Sequence, residues 1–268
     1  MPIITISRGS YSKGKEVADK IAQRLGYECI AREVIIEASK EFNIPEIKLV
    51  RAIHNAPSIL ERMGGYSTKE RYLAYLQVAL LERFQKDNVV YHGLAGHFFV
   101  KGISHVLKVR IIADMEERVK LEMEREGTSR SVAFRILKND DRERREWSKY
   151  LYGIDTWDPS LYDLVIRIKK ITADDAADIV CHSVGLELFE TTPESQNAVD
   201  QLLTAARVRA ALIDLKPDVE VFAEDGTVLI KAKTTESEEG KLIHKMEGIA
   251  KSIPGVKNVE VHLEPFNK

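Results

Sequence analysis

The sequence predicts an α/β fold, a parallel sheet flanked by helices, followed by a small α+β unit. Three observations carry this. Short β-branched runs alternate with amphipathic helical patterns over the first two thirds of the chain, the signature of a parallel sheet with helical crossovers. The first run leads directly into a glycine-bracketed turn and a helix. After Leu188 the alternation stops, and a polar, proline-bearing stretch gives way to a hairpin pattern. At 268 residues, 44% hydrophobic and 31% charged, the chain has material for more than one core.

In order, Ile3-Ile4-Thr5-Ile6-Ser7 reads as a buried strand. A helix follows from about Gly14 to Leu25, with Val17, Ala18, Ile21 and Leu25 on one face and Gly26 closing it. Further helices are expected at 32–42, 45–54 and 68–86, the last with Ser67 and Glu70 as a capping box, packed around the opening of the fold and any substrate cleft. Val89-Val90-Tyr91 and Val106 to Ala113 read as strands, separated by the loop Gly93-Leu94-Ala95-Gly96. Asp114 to Tyr152 reads as a charge-dense helical region, Tyr162 to Ile168 as a strand, and Thr172 as the cap of a helix through Val184. Residues 191–197 read as a linker between a first domain, 1–190, and a second, 198–268. The second carries a helix near 198–214, a hairpin turning at Glu224-Asp225-Gly226, a helix near 236–252 and a last strand from Val256 to Leu263.

Charge and cysteine content exclude several classes. Lys plus Arg number 40 against 42 for Asp plus Glu, so there is no basic excess to coat a nucleic acid, and phosphate attraction must be local. Cys29 and Cys181 sit in apolar stretches and read as buried thiols, and no CxxC or Cys/His spacing marks a metal site. No secretory signal opens the sequence and no apolar run approaches the ~20 residues of a membrane span, so a cytoplasmic protein is expected.

The residues Gly9-Ser10-Tyr11-Ser12-Lys13-Gly14-Lys15 fit G-x-x-x-x-G-K between a strand and a helix, the context a phosphate-binding loop requires. Such a loop turns successive N–H groups toward one phosphate, the helix adds the positive end of its dipole, and Lys15 would reach the β- and γ-phosphates. The next position, where a hydroxyl would ligate magnesium, is Glu16, a carboxylate that can also serve as a hard ligand.

ITISRGSYSKGKEVADKIAQRLG resembles the opening of cytidylate-kinase-like proteins, a branch of the P-loop nucleoside monophosphate kinases. The likeness continues through the strand into Gly93-Leu94-Ala95-Gly96, through Ala113-Asp114-Met115-Glu116-Glu117-Arg118-Val119, and through Asp141-Arg142-Glu143-Arg144 with Gly153 to Leu164, spanning about 3–185. The resemblance implies a P-loop kinase fold and transfer of the ATP γ-phosphate to a nucleoside monophosphate with magnesium. Gly9, Ser10, Tyr11, Ser12, Lys13, Gly14, Lys15 and Glu16 would then hold the nucleotide, Glu16 the metal, and Lys15, Arg118, Arg142 and Arg144 would be catalytic. Two positions depart from the family: Leu94 replaces a loop arginine and Ala31 an aspartate, both on the acceptor side.

Other residues have two readings. Between Glu116 and Lys149 there are 10 basic and 9 acidic side chains, an interleaving that also describes a solvated, salt-bridged helix face. His92, His97 and His105 are spaced by five and eight, which makes no metal-binding helix face, and Trp147, Trp157, Tyr150 and Tyr152 read as packing or hinge residues.

The C-terminal unit resembles a BON domain through Asp225-Gly226-Thr227-Val228-Leu229-Ile230 and Ile253-Pro254-Gly255-Val256-Lys257-Asn258-Val259. Its 10 basic against 12 acidic residues from position 198 onward do not favour an anionic membrane, so a regulatory or docking role, toward a protein partner or a second copy, is expected. Two functions from different classes follow. One is an ATP-dependent kinase of a nucleotide or related small acceptor; the other is a non-catalytic nucleotide-binding sensor or adaptor that kept the loop and lost acceptor recognition.

Overall fold

The computed structural model describes residues 2–54, 68–93, 96–235 and 239–265. The expected capping box at Ser67, and Leu94 with Ala95 in the glycine loop, lie outside these residues. Among the described residues the chain forms two compact units, one from 2–34, 53–54, 86–93 and 96–195, the other from 35–52, 68–85, 196–235 and 239–265.

The first unit is built on a five-stranded, wholly parallel sheet. Its strands are β1 (Ile3–Arg8), β2 (Glu28–Ile30), β3 (Val89–Tyr91), β4 (Val106–Ala113) and β5 (Leu164–Ile168), in the spatial order β2-β3-β1-β4-β5. β1 is central and buried on both faces, which is why it reads as an unbroken apolar run. The helices of this unit include α1 (Gly14–Leu25), which follows β1. Its buried face, Val17, Ala18, Ile21 and Ala22, joins Ile4, Ile6, Val109 and Ile111 in one core. Gly26, in the left-handed region at φ 70°, closes α1 as expected.

α2 (Glu33–Glu41), α3 (Glu46–His54) and α4 (Thr68–Phe84) lie near the expected positions. The short α5 (Gly96–Phe99) follows β3. The charge-dense helical region consists of two helices, α6 (Met115–Glu126) and α7 (Arg130–Tyr152). Gly127 at φ 62° ends the first, and the Ser129 hydroxyl accepts the Val132 N–H to start the second. α8 (Ala173–Val184) opens on a complete capping box, Thr172 with Asp175.

The second unit differs from expectation in two ways. α9 (Pro193–Leu212) takes in most of the stretch read as a linker. Proline suits the first turn of a helix, and Thr192 and Ser195 exchange side-chain and backbone hydrogen bonds across that turn, at 2.9 Å and 3.2 Å. The polar residues are a cap rather than a tether. In addition, α4 belongs with this unit: Arg71 pairs with Asp214 at 3.0 Å, Arg207 with Glu82 at 2.5 Å, and Gln85 donates to Asp200 at 2.7 Å.

The remainder is a three-stranded sheet of β6 (Glu220–Glu224), β7 (Thr227–Thr234) and β8 (Asn258–Pro265), packed on α10 (Glu239–Lys251). β6 and β7 are antiparallel, and β8 pairs parallel with β7. The hairpin turn is Asp225-Gly226, both at positive φ (48° and 87°), the backbone that matches strand twist in a two-residue loop. Gly226→Ala should destabilise this unit by about 1–2 kcal/mol, because its Cβ would also stand 2.9 Å from Lys257. Gly248→Ala, in α10 with open space around it, should instead stabilise by about 0.5–1 kcal/mol; urea unfolding followed by circular dichroism distinguishes the two.

Candidate active site

The turn between β1 and α1 is shaped as a phosphate cradle. Ser12 donates from its hydroxyl (3.0 Å) and its backbone N–H (3.4 Å) to the Gly9 carbonyl, which closes the turn. The left-handed positions are Tyr11 (φ 55°) and Lys13 (φ 62°) rather than glycines, and backbone strain of this kind collects at functional sites. Gly14 is required for a different reason: a Cβ there would stand 2.7 Å from the Arg8 side chain. Lys13 caps α1 without any side-chain hydrogen bond, so the first N–H groups of the helix face the turn unsatisfied.

Three attachments hold the strained loop. Tyr11 packs with Met115, Val119 and Leu137 in the core between α6 and α7. Burial first, and then the neighbouring Glu122 carboxylate, raise the pKa of the Tyr11 hydroxyl. Arg118 is buried on α6 and donates to the Ser10 carbonyl at 2.7 Å, while its other nitrogens grip both oxygens of Asp141 at 2.7 Å and 2.8 Å. Asp140, one residue earlier on α7, accepts from the Ser10 hydroxyl at 2.9 Å.

Beside the loop lies a cleft of ≈ 690 Å³ lined by residues 10–15 of the turn together with Arg8, Arg125 and Asp140. That volume is in the range of small-ligand sites. Lys15 lines it and makes no ion pair among the described residues. Glu16, expected as a metal ligand, is exposed on the first turn of α1 and does not line the cleft. The carboxylates that do are Asp140 and Glu124, of which Asp140 bonds the turn through Ser10.

A smaller recess at the ends of β1 and β4 gathers Arg8, Arg110 and Arg144 with Ser7, His97 and Trp147. Arg144 donates to the Arg8 carbonyl at 3.0 Å, and Arg110 to Tyr162 at 3.2 Å and Ser7 at 3.3 Å. Arg8 Nε is buried with no hydrogen-bond partner among the described residues. Burial, then mutual repulsion, lowers the pKa of Arg8; burial is also the main cause at Arg144. An anion in this recess would relieve that crowding.

Of the four side chains expected to be catalytic, Lys15, Arg118 and Arg144 meet at the loop, Arg118 as its brace. Arg142 is exposed and lines a separate cleft of ≈ 850 Å³ with Phe134, Lys138 and Trp157. The two tryptophans divide: Trp147 is buried, whereas Trp157 is half exposed with Arg145 5.1 Å over its ring. Arg8, Arg110 and Asp140 were not singled out by sequence; the first two lie in strands where only tertiary pairing brings them together. Burial first, and then a bond to Asp19, push the Cys29 thiol up to about 12.

A strand, phosphate-binding turn and helix at the centre of a parallel sheet ordered β2-β3-β1-β4-β5 place this chain in the P-loop kinase class of α/β folds. The profile of the Cytidylate kinase-like family matches residues 3–170, and the chain belongs to that family. A cytidylate kinase of Archaeoglobus fulgidus is 28% identical over 189 residues, covering 69% of this chain and 95% of that protein. One of Methanosarcina acetivorans is 40% identical over 98 residues, 36% of this chain and 53% of that protein. An uncharacterized protein from Eubacterium ventriosum shares the fold at a TM-score of 0.52, with 20% identity over 69% of this chain and 98% of that one.

Two consequences can be measured. Asp141→Ala leaves a buried guanidinium unpaired and should cost about 3–5 kcal/mol, whereas replacing both partners, Arg118→Met with Asp141→Leu, should cost less; denaturant unfolding of the three chains gives the comparison. The second concerns His97, which lies 3.4 Å from the Tyr162 hydroxyl and is held down to about 3 from 6.5, by burial first and then by Arg110 and Lys108. The unfolded chain therefore takes up a proton between these values that the folded chain refuses, so stability falls as pH drops from 6.5 toward 3. His97→Gln should remove up to about 1.4 kcal/mol per pH unit from that slope, read from urea midpoints across the window.

Proposed function

We propose that this protein transfers the γ-phosphate of ATP to a nucleoside monophosphate or a related small acceptor. The observation that carries the reading is the juxtaposition of the cleft at the phosphate turn, with Lys15 free to meet a phosphate, and the recess where Arg8, Arg110 and Arg144 converge. Phosphoryl transfer needs positioning and neutralisation of charge that spreads over the transferred group. The loop N–H groups, the α1 N-terminus and Lys15 hold the donor phosphates. The recess holds the acceptor's anionic group, and Arg8, which lines both the recess and the cleft, lies where the two meet, with Arg144 donating to its carbonyl. Cytidylate kinases among the relatives support a nucleotide acceptor.

Magnesium fits the residues present. The Asp140 carboxylate and the Ser10 hydroxyl, 2.9 Å apart at the cleft, are the hard oxygen donors it takes. Bound there with a nucleotide, it supplies neutralisation of phosphate charge. Asp140 in this role replaces the expected Glu16.

A second reading, a nucleotide-binding sensor without turnover, is favoured by the exposed Glu16 in place of a hydroxyl and by Ala31 at a family aspartate. The C-terminal unit, with its resemblance to BON domains, acts in either case as a regulatory or docking module. Among the described residues no helix is long and apolar enough to cross a membrane.

A phosphoryl-transfer screen with ATP, magnesium and a panel of nucleoside monophosphates decides between the readings. Turnover is expected, and Lys15→Ala or Arg144→Ala should lower kcat by about a hundredfold or more. Lys15→Ala should also weaken ATP binding, while Arg142→Ala should leave turnover near the parent value. Tight ATP binding with no turnover on any acceptor would establish the sensor.

A further inference from the structure

Cys29, Asp19 and His92 are far apart in sequence, and no local spacing links them. The fold brings them together. Asp19 lies one helical turn beyond Lys15 on α1, Cys29 is in β2, and His92 directly follows β3, its backbone N–H donating to the Ile30 carbonyl at 3.1 Å. The Cys29 thiol points at the Asp19 carboxylate across 3.5 Å. One ligand atom from each of the three residues lies within 4.8 Å of the others.

The histidine supplies an independent observation. Its side chain is only 8% exposed, yet Nδ1 is buried with no hydrogen-bond partner among the described residues. A buried polar atom without a partner is uncommon and costs stability unless something satisfies it. Neither the phosphate turn nor the arginine recess uses this group.

We propose that Asp19, Cys29 and His92 form a binding site for one divalent cation of the zinc class. Sulfur, imidazole nitrogen and carboxylate oxygen are the three donor types zinc takes, whereas magnesium and calcium select oxygen alone. In a tetrahedral zinc site the ligand atoms stand about 3.3–3.8 Å apart, so closing the trio from 4.8 Å requires movements of about an ångström. Three protein ligands leave the fourth position to water. On binding, the thiol S–H bond is replaced by a sulfur–metal bond and the proton passes to solvent. Lys15 and Arg8 are near enough to act on these groups. The two positive charges of the ion are matched by thiolate and carboxylate, so the loaded site is neutral, one positive charge more than the empty site with its thiol and carboxylate. The ion would tie α1 to the edge of the sheet immediately behind the phosphate turn. The proposal is independent of the acceptor and of whether the protein turns over.

Titration of the full-length chain with cobalt(II), then zinc, provides the test. One equivalent of cobalt should give a thiolate-to-metal charge-transfer band in the near ultraviolet, displaced by zinc and abolished by a chelator. Cys29→Ser should lose the band, His92→Ala should weaken binding at least tenfold, and Cys181→Ser should behave as the parent. Absence of the band in the parent chain would overturn the site. So would a band that survives Cys29→Ser, or one that disappears with Cys181→Ser. Should Cys29→Ser fail to fold, the parent and Cys181→Ser spectra decide alone.

Discussion

The doubly hydrogen-bonded pair of Arg118 and Asp141 is the contact on which the site depends. It joins α6 to α7, and through Arg118 Nε it also fixes the Ser10 carbonyl, so one buried guanidinium sets three elements in register. Arginine suits the task because its planar fork presents donors on two sides at once. A buried pair of this kind adds little net stability over apolar packing, and its value lies in allowing one arrangement. With Tyr11 seated between the same two helices, the pair lets a loop with two strained residues persist before any ligand arrives.

Charge is organised on the same local scale. The chain as a whole is almost neutral, yet the recess gathers three arginines whose nearest companions include each other. Such crowding is tolerated because backbone carbonyls and hydroxyls, those of Arg8, Ser7 and Tyr162, accept hydrogen bonds from the arginines, and because Asp140 and Asp141 lie near Arg144. A fixed positive site made this way is left available to an incoming anion, whereas the salt-bridged surfaces of α6 and α7 are self-compensated.

Much of this architecture was legible in the residues. Ile3 to Ser7 and Val106 to Ala113 are recognisable as strands from their β-branched, mostly apolar runs, and Thr172 announces the start of α8. The phosphate turn was visible because its chemistry is local. Where reading failed, the signal was either masked or non-local. Gly127 and Ser129 punctuate the α6–α7 region, but the dense charges around them continue a helical pattern on either side. Thr192 to Ser195 has the composition of a tether and the hydrogen bonding of a cap. Arg8 and Arg110 are single residues within strands, and nothing along the chain states that β1 and β4 will lie side by side. Asp140 was obscured by neighbours of both signs, although its adjacency to Asp141 places consecutive carboxylates toward different partners.

The unsupported start of α1 links recognition to folding. Most helices carry their own cap in the preceding side chain, but here Lys13 offers none, and the residues that follow present bare N–H groups to the turn. An anion seated there supplies the acceptors that the chain omits, and so acts as the missing residue of the helix. Its binding free energy is then also conformational stability, gained in proportion to how far its concentration exceeds its dissociation constant. The chain is in this sense completed from outside, and the helix that begins at Gly14 is finished only by what it recognises.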